Sequence, residues 1–334
     1  MGADKKPDEF ELIARFFAPL ASGEAGALGL GDDAAVLTPP PGRQLVVTTD
    51  GLTAGVHFPL DEGPRDVATR LIGVNLSDLA AMGAEPWVYT LALALPEDWE
   101  PGWLSDFSNE LKKQQERFAI HLVGGDTTQT PGPMVLTLTA LGTVPEGEGI
   151  QRSGACVGDK IYVSGTIGDA ALGLVVLQGG LKGLDEIHVQ ALAARYHRPE
   201  PRVPLGRRLV GLANAAIDIS DGLIADLGHL VMESGLSAVL NATQVPYSEA
   251  ALAAFTLDSG LREQAMTGGD DYELLFAVPE TAAAEIAAIA EDLGLALTHI
   301  GTLSAGDREA PGIVRLLGDD GQVLAINKSG YRHF

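Results

Sequence analysis

The chain has 334 residues, of which 46% are hydrophobic and 20% are charged, and this composition is typical of a folded globular protein. The length predicts two domains of ordinary size. The formal net charge of −23 repels a polyanion from most of the surface, so we expect no nucleic-acid partner. Cys156 is the single cysteine, which excludes an intrachain disulfide and a cysteine-based zinc site.

The sequence carries no targeting or membrane signal. Its start, MGADKKPDEF, lacks the apolar core of a signal peptide. No stretch approaches the roughly 18 apolar residues that a membrane-spanning helix needs. We therefore expect a cytoplasmic protein with no membrane partner.

Helices and strands alternate in the first half of the sequence. Asp8 is a predicted N-cap of a helix that runs to Ala18 and buries an apolar stripe including Phe10. A buried strand over residues 45–48 follows, and it ends at Asp50. The other predicted elements are a helix over 66–82, a strand over 88–95, a helix over 103–118, a strand that stops at Gly124-Gly125-Asp126, and a strand over 134–144.

The polar, glycine-rich stretch 145–150 is the predicted domain boundary, which gives an N-terminal domain 1–150 and a C-terminal domain 151–334. Beyond it the alternation restarts. The predicted strands are 161–164, 215–219, 272–278 and two short segments near the end, and the predicted helices are 169–177, 221–233 and 281–293. Alternation in both halves predicts an α/β fold built from α+β sandwiches.

Many aspartates lie where predicted strands stop and loops or helices begin. A single aspartate beside a glycine is explained by the capping of a turn, but that explanation does not account for the whole set. The set consists of Asp32, Asp33, Asp50, Asp78, Asp126, Asp218, Asp221, Asp270 and Asp271.

Asp78 shows why this set indicates a metal site. It shares a helical face with Leu71 and Val74, so its carboxylate points to the apolar side of the helix. A buried carboxylate without a partner costs several kcal/mol, roughly, and needs a cation or strong donors. Magnesium and calcium prefer carboxylate oxygens, so a hard divalent cation is the expected partner.

Glycines and hydroxyl groups beside these aspartates indicate a bound polyphosphate. Glycines let the backbone approach phosphates closely, and Thr48, Thr49, Thr127 and Ser220 add hydroxyl groups. Because a polyphosphate needs metal ions to lie among carboxylates, the sequence predicts ATP with several Mg²⁺ ions. The dipeptide Gly-Lys of a Walker A loop and the His-Arg-Asp loop of protein kinases do not occur.

The ordered motifs GDDAAV, TTDGLTAGVHF, NLSDLAAMGAEP, GGDTT, RSGA, GDxxxVSGxIGDAALGL, DISDGL and GGDDYEL resemble those of the thiamine-monophosphate kinase family. The resemblance spans nearly the whole chain. It implies the two-domain, PurM-like fold shared with aminoimidazole ribonucleotide synthetase, and a homodimer formed through the N-terminal domain. It also implies direct phosphoryl transfer from ATP to thiamine monophosphate, which yields thiamine diphosphate.

The resemblance also implies roles for individual residues. The implied Mg²⁺ ligands are Asp33, Thr48, Thr49, Asp50, Asp78, Asp126, Asp218 and Asp221. Gly125, Asp126, Arg152 and Ser220 match positions around ATP, and His57, Asp270 and Tyr331 are expected to meet the thiamine phosphate. Asp50, Asp126 and Asp221 are the expected catalytic residues.

Simpler explanations and rival functions stay open at this point. His57 can cap a loop, and Arg152 can form an ordinary ion pair. The rival enzymes of the same fold are a selenide-activating synthetase, a hydrogenase-maturation dehydratase and a purine-pathway synthetase. The first two use cysteines near the N-terminus or at the C-terminus, where this chain has none. A non-catalytic, acidic metal-binding protein is the alternative from another class.

Overall fold

The computed structural model describes residues 6–306, 312–326 and 330. The chain divides into two compact units, Met1–Leu79 with Ala84–Gly147, and Ala80–Gly83 with Glu148–Phe334. Each unit contains one β-sheet and several helices, so the predicted α/β class is confirmed. In the part of the chain described, no helix is both long and apolar enough to cross a membrane.

The first unit begins with a chain of short helices. Asp8 caps α1 (Glu9–Leu12) through a reciprocal capping box with Glu11, as predicted for this N-cap. A π-helical turn (Ile13–Phe17) and two 3₁₀ segments, Ala18–Gly23 and Ala25–Leu30, follow. The predicted apolar stripe was wrong at Phe10, which is 80% exposed.

A four-stranded sheet forms the centre of the first unit. Its strands are β1 (Arg43–Thr53), β2 (Glu85–Pro96), β3 (His121–Thr130) and β4 (Val135–Pro145), and its helices are α2 (Pro64–Ala81) and α3 (Pro101–Phe118). The order is β1-β4-β2-β3, with β2 and β3 parallel and the other neighbours antiparallel. Strands β1 and β3 are therefore the two edges of this sheet.

The two faces of this sheet differ in what covers them. On β1, Thr48 Oγ1 donates a hydrogen bond to Asp78 of α2, so Thr48, Asp50 and Leu52 point to the face that we call the helix side. Leu45 and Val47 point to the opposite face, the open side, where they are 44% and 58% exposed. The prediction of a buried strand was therefore wrong, because β1 is an edge strand with one exposed face.

The second unit is built on a six-stranded sheet of order β10-β7-β9-β5-β8-β6. Its strands are β5 (Lys160–Ser164), β6 (Ala215–Asp218), β7 (Leu236–Asn241), β8 (Leu274–Val278), β9 (Leu297–Ala305) and β10 (Val314–Leu317). Its helices are α4 (Asp169–Leu177), α5 (Glu186–His197), α6 (Val203–Leu209), α7 (Leu223–Glu233), α8 (Glu249–Leu257), α9 (Leu261–Thr267) and α10 (Ala283–Leu293).

One apolar core joins this sheet to α7. Val163, Ile217 and Leu275, from the neighbouring strands β5, β6 and β8, pack in one buried cluster with Leu227 and Leu230 of α7. Because β6 and α7 are separated by only four residues, this packing fixes both ends of the loop between them. That loop carries the DISDGL motif.

Candidate functional site

Strand β1 and helix α2 bring three of the predicted metal ligands together on the helix side. Thr48 Oγ1 donates to Asp78 Oδ2, so the prediction that Asp78 faces inward from α2 is confirmed. The backbone N–H of Asp50 donates to Oδ1 of the buried Asn75, at 3.2 Å. Asn75 in turn donates to the carbonyl of Leu71 at 2.9 Å, which ties strand and helix together at this point.

The two carboxylates of this cluster repel each other. Burial of the carboxyl, and then the nearby charge of Asp78, raise the pKa of Asp50 from 3.8 to about 6. A divalent cation would offset both the lost solvation and the repulsion, because hard cations bind carboxylate and hydroxyl oxygens. The chemistry of this cluster, which we call the β1–α2 cluster (Thr48, Asp50 and Asp78), therefore fits Mg²⁺.

Two other predicted ligands lie on the opposite face of the same sheet. Thr49 Oγ1 lies 2.8 Å from Thr139 Oγ1 on the open side. Asp126 is exposed and pairs with Ala92, which is also exposed. The prediction that the third strand stops at Asp126 was wrong, because β3 continues to Thr130 and its ladder with β2 remains intact.

The strand register separates Asp126 from Asp50. Asp50 pairs with Leu138, Leu138 with Leu91, and Leu91 with Gly125, so Asp50 and Gly125 lie at one level on opposite edges. Three strand spacings amount to about 14 Å. The sheet therefore does not bring Asp50 and Asp126 into one cluster.

Gly125 has a structural reason to be glycine. A Cβ atom at this position would lie 2.0 Å from the carbonyl oxygen of Leu91 in β2, which is closer than any side chain tolerates. The close approach of β2 and β3 therefore explains this glycine without a ligand.

The remaining predicted residues of the first unit lie in loops. Asp33 is exposed, and its backbone N–H donates to Asp32 Oδ1 at 3.0 Å. His57 Nδ1 accepts a hydrogen bond from the N–H of Thr53 at 3.0 Å. The neutral imidazole therefore carries its proton on Nε2.

In the second unit, the DISDGL and GGDDYEL motifs form two paired loops, residues 218–222 and 268–273. The N–H of Asp270 donates to the carbonyl of Ser220 at 2.9 Å, and that of Tyr272 to the carbonyl of Ile219 at 2.8 Å. A Cβ atom on Gly269 would lie 2.1 Å from the Ser220 oxygen, so the pairing requires glycine there. Ser220, Asp221 and Asp270 are thus brought together.

The second paired loop contains backbone strain. Asp270 and Tyr272 have φ values of 76° and 51°, in the left-handed region that side chains other than glycine seldom adopt. Tyr272 also donates its hydroxyl hydrogen to Asp270 Oδ1 at 3.3 Å. Strain of this kind persists only where the surroundings impose it, and it is frequent at functional sites.

Arg152 and Tyr331 complete the predicted set. Arg152 is exposed, and its carbonyl accepts a hydrogen bond from Ser234 Oγ at 3.0 Å. Tyr331 lies outside the described residues.

Comparison with known proteins assigns the chain to a family. Residues 31–144 match the model of the AIR synthase related protein, N-terminal domain, and residues 157–313 match that of its C-terminal domain. The thiamine-monophosphate kinase of Salmonella typhimurium is 45% identical over 327 residues, which cover 98% of both chains. The chain belongs to the thiamine-monophosphate kinase family.

Solved structures of this family have the same fold. The thiamine-monophosphate kinase of Stenotrophomonas maltophilia K279a superposes with a TM-score of 0.81 at 41% identity, over 92% of this chain and 97% of that one. The structure named "AaThiL complexed with AMPPCP and TMP" gives a TM-score of 0.77 at 31% identity, over 91% of each chain. The predicted two-domain, PurM-like fold is therefore confirmed.

Three buried carboxylates hold the paired loops. The sequence analysis gave no role to Asp226 or Glu273, and it placed Asp271 among the aspartates expected at a metal site. Asp226 Oδ2 accepts the backbone N–H groups of Ser220, Asp221 and Gly222, each at 3.0 Å. Burial raises the pKa of Asp226 to about 7, against the opposing effect of these amide hydrogen bonds. The available signal was a carboxylate in the first turn of a strongly apolar helix.

The other two buried carboxylates anchor the second paired loop. Asp271 accepts the N–H groups of Gly168 and Ala170 at the start of α4, and burial raises the pKa of Asp271 well above its usual range. Glu273 is fully buried and accepts from three side chains. Its donors are Arg195 at 2.8 Å, Arg202 Nε at 2.6 Å and Ser164 Oγ at 2.5 Å. Two motif carboxylates are thus structural anchors.

Proposed function

We propose that this protein transfers the γ-phosphoryl group of ATP to thiamine monophosphate and so makes thiamine diphosphate. The observation that carries the proposal is the match over 98% of both chains to an enzyme named thiamine-monophosphate kinase. A relative with the same fold has been solved with AMPPCP and TMP, abbreviations that fit an ATP analogue and thiamine monophosphate. ATP and thiamine monophosphate are cytoplasmic metabolites, so we also propose a cytoplasmic location.

The proposed reaction is a direct in-line transfer. An oxygen of the thiamine phosphate attacks the γ-phosphorus of ATP, the bond to the β–γ bridging oxygen breaks, and ADP leaves with the electron pair. A phosphate oxygen is already ionised near neutral pH, so the protein supplies no strong general base. It binds, orients and neutralises charge, which are the main sources of rate in phosphoryl transfer.

Mg²⁺ is the proposed cofactor, and it would neutralise the phosphate oxygens between the carboxylates. In the first unit the β1–α2 cluster would hold one such ion, because its two carboxylates repel each other. The full proposed ligand set serves several ions, because Asp50 and Asp126 do not lie in one cluster. It consists of Asp33, Thr48, Thr49, Asp50, Asp78, Asp126, Asp218 and Asp221. Asp50, Asp126 and Asp221 are the proposed catalytic residues.

The proposed substrate contacts come from residues of both compact units. Gly125, Asp126, Arg152 and Ser220 are proposed to contact ATP, and His57, Asp270 and Tyr331 are proposed to contact thiamine monophosphate. The proposed domains are an N-terminal domain, 1–150, that binds ATP and Mg²⁺ and forms the dimer, and a PurM-like C-terminal domain, 151–334.

The direct test is to incubate the purified protein with ATP, Mg²⁺ and thiamine monophosphate and to measure thiamine diphosphate. Product formation that requires all three components is the expected result. An inactive protein that binds Mg²⁺, but gives no calorimetric heat with AMPPCP, would overturn the proposal in favour of an acidic metal-binding protein. Activity with a purine-pathway substrate would favour the synthetase.

We further propose that two copies pair through the open side of the four-stranded sheet. Leu45 and Val47 of β1 are exposed there. Large exposed apolar side chains on the β1 end of this sheet face favour self-association, and two-fold dimers are the commonest assembly.

Light scattering tests the dimer, and we expect twice the chain mass of 34.8 kDa. Val47→Lys should lower the measured mass towards that of a monomer. Val323→Lys is the matched control, because Val323 is 61% exposed but lies in the second unit. A fully active monomer at every dilution would contradict the proposed dimer.

A further inference from the structure

One carboxylate oxygen of Asp226 accepts hydrogen bonds from three consecutive backbone amides. The side chain is 2% exposed, and its Oδ2 accepts from the N–H groups of Ser220, Asp221 and Gly222, each at 3.0 Å. Each of these distances is that of a normal N–H···O hydrogen bond. The contact is therefore a strong local restraint on the Ser220–Gly222 backbone.

The local sequence explains why a residue inside the helix takes this role. Helix α7 begins at Leu223, and the first amides of a helix need partners from outside the helical ladder. Gly222 occupies the N-cap position with φ 117°, and it has no side chain to cap the helix. Asp226 also donates its own N–H to the carbonyl of Gly222 at 3.0 Å. The N–H and the carbonyl of Gly222 are therefore both hydrogen-bonded to Asp226.

This restraint determines where two proposed site residues point. Fixing the φ and ψ angles of Ser220 and Asp221 fixes the direction of their Cα–Cβ bonds. Both side chains are partly exposed, whereas Gly222 and Asp226 behind them are buried. The Ser220 carbonyl is held from the other side by the N–H of Asp270. The loop is therefore clamped on both sides while its side chains remain available.

We propose that Asp226 is a positioning residue for phosphoryl transfer, holding the Ser220–Gly222 backbone so that Ser220 and Asp221 meet the Mg²⁺–ATP complex. The inference rests on the proposed function and deepens it. Outer residues that orient ligand-bearing groups typically change affinity or activity by about 10- to 100-fold when replaced. The competing explanation is that Asp226 only caps α7 and stabilises the second unit.

The two explanations predict different activities for Asp226 variants that are folded. Asp226→Asn keeps the size and one acceptor oxygen, and Asp226→Ala removes both acceptors. We measure kcat, KM for ATP, and the Kd of AMPPCP with Mg²⁺ by calorimetry, well below the melting temperature seen by circular dichroism. We expect kcat/KM for ATP to fall about 10-fold for the Asn variant and about 100-fold for the Ala variant, with a parallel loss of AMPPCP affinity.

Asp159→Asn is the matched control. Asp159 is 4% exposed and accepts from the Cys156 N–H at 2.8 Å and from Asn214 Nδ2 at 2.9 Å, so it also pins a tight turn. We expect this variant to lose stability but to keep kcat/KM and AMPPCP affinity.

Parent-like kcat/KM and AMPPCP affinity in the Asp226→Asn variant, with only a lower melting temperature, would overturn the positioning role. The Asn variant alone decides the matter if the Ala variant does not fold. An inactive parent protein would instead refute the proposed function, so the two failures are distinguishable.

Discussion

Asp50→Asn removes one of the two carboxylates that repel each other in the β1–α2 cluster. The substitution keeps the shape of the side chain and leaves the backbone hydrogen bond from residue 50 to Asn75 intact. We expect the metal-free protein to become more stable, because the buried charge disappears. We also expect the enzyme to lose activity, because an anionic ligand for Mg²⁺ is lost.

The size of the stability gain follows from the pKa of Asp50, which burial and the charge of Asp78 raise from 3.8 to about 6. At about 1.4 kcal/mol per pKa unit, the ionised carboxylate destabilises the folded state by up to about 3 kcal/mol. Asp50 is partly exposed, and solvent screening lowers this figure to about 2 kcal/mol.

The pH dependence has a definite sign. The folded protein holds the Asp50 proton more tightly than the unfolded chain does, so stability falls as pH rises from about 4 to about 6. The penalty is complete above pH 6. The variant has no proton to release, so its advantage is about 2 kcal/mol at pH 7.5 and vanishes near pH 4.

Urea unfolding in EDTA, followed by tryptophan fluorescence, measures this gain. Trp87, Trp99 and Trp103 are the three tryptophans of the chain, and all lie in the first unit with Asp50. Asp98→Asn is the control, because it makes the same chemical change at an exposed position. With saturating ATP and a Mg²⁺ titration, we expect turnover of the Asp50 variant to fall by about two orders of magnitude.

Two results would refute this reasoning. Equal stability of the metal-free parent and variant at pH 7.5 would show that burial and the charge of Asp78 do not destabilise the ionised Asp50. Near-normal turnover would remove Asp50 from the phosphate-transfer site, and with it the β1–α2 cluster as a metal site.

Three further substitutions test other parts of the structure. Gly125→Ala places a Cβ atom 2.0 Å from the β2 backbone, so we expect the free energy of unfolding, measured by tryptophan fluorescence, to fall by about 2 kcal/mol. Gly102→Ala is the control, because a Cβ atom there has no neighbour within 4 Å and should not destabilise the protein. Glu273→Gln should lower the melting temperature measured by circular dichroism and reduce the free energy of unfolding by about 3 kcal/mol. Glu280→Gln is the control, because the Glu280 side chain is 80% exposed, and it should reduce the free energy of unfolding by less than about 1 kcal/mol. Asp270→Gly relieves a φ of 76° and should add about 1 kcal/mol of stability while raising KM for thiamine monophosphate; an unchanged KM would remove Asp270 from the substrate site.

Local signals in the sequence predicted many elements well. Helix α4 spans Asp169–Leu177, as predicted, because its aspartate start and apolar run are both local features. Strand β7 and the helices α5, α6, α8 and α9 were missed. They are short or rich in alanine, so packing rather than periodicity decides their conformation.

Burial was harder to predict than conformation. The run Leu-Val-Val at 45–47 looks like a buried strand, but β1 lies at the edge of its sheet and only alternate residues are covered. A short apolar run does not reveal what covers each face. The pattern does work on α2, where the spacing of Asp78 from Leu71 and Val74 predicted its inward direction.

The sequence predicted only part of the candidate site. The motifs located the paired loops, but not the carboxylates that hold them. Asp226 and Glu273 look like ordinary acidic residues in the sequence, and Asp271 was grouped with the aspartates of the expected metal site. The amide and arginine partners of all three are brought to them only by folding. The separation of Asp50 and Asp126 could not be foreseen either, because strand order and register set it.

The alternation along β1 makes its length as important as its composition. Thr48 and Asp50 reach α2 only because they occupy even positions, while Leu45, Val47 and Thr49 occupy odd ones. Inserting or deleting one residue near the start of β1 would leave the ladder with β4 able to form but would exchange the two faces. Apolar side chains would then meet Asp78, and the carboxylate would turn to the exposed face. This strand therefore tolerates substitutions far better than changes in length.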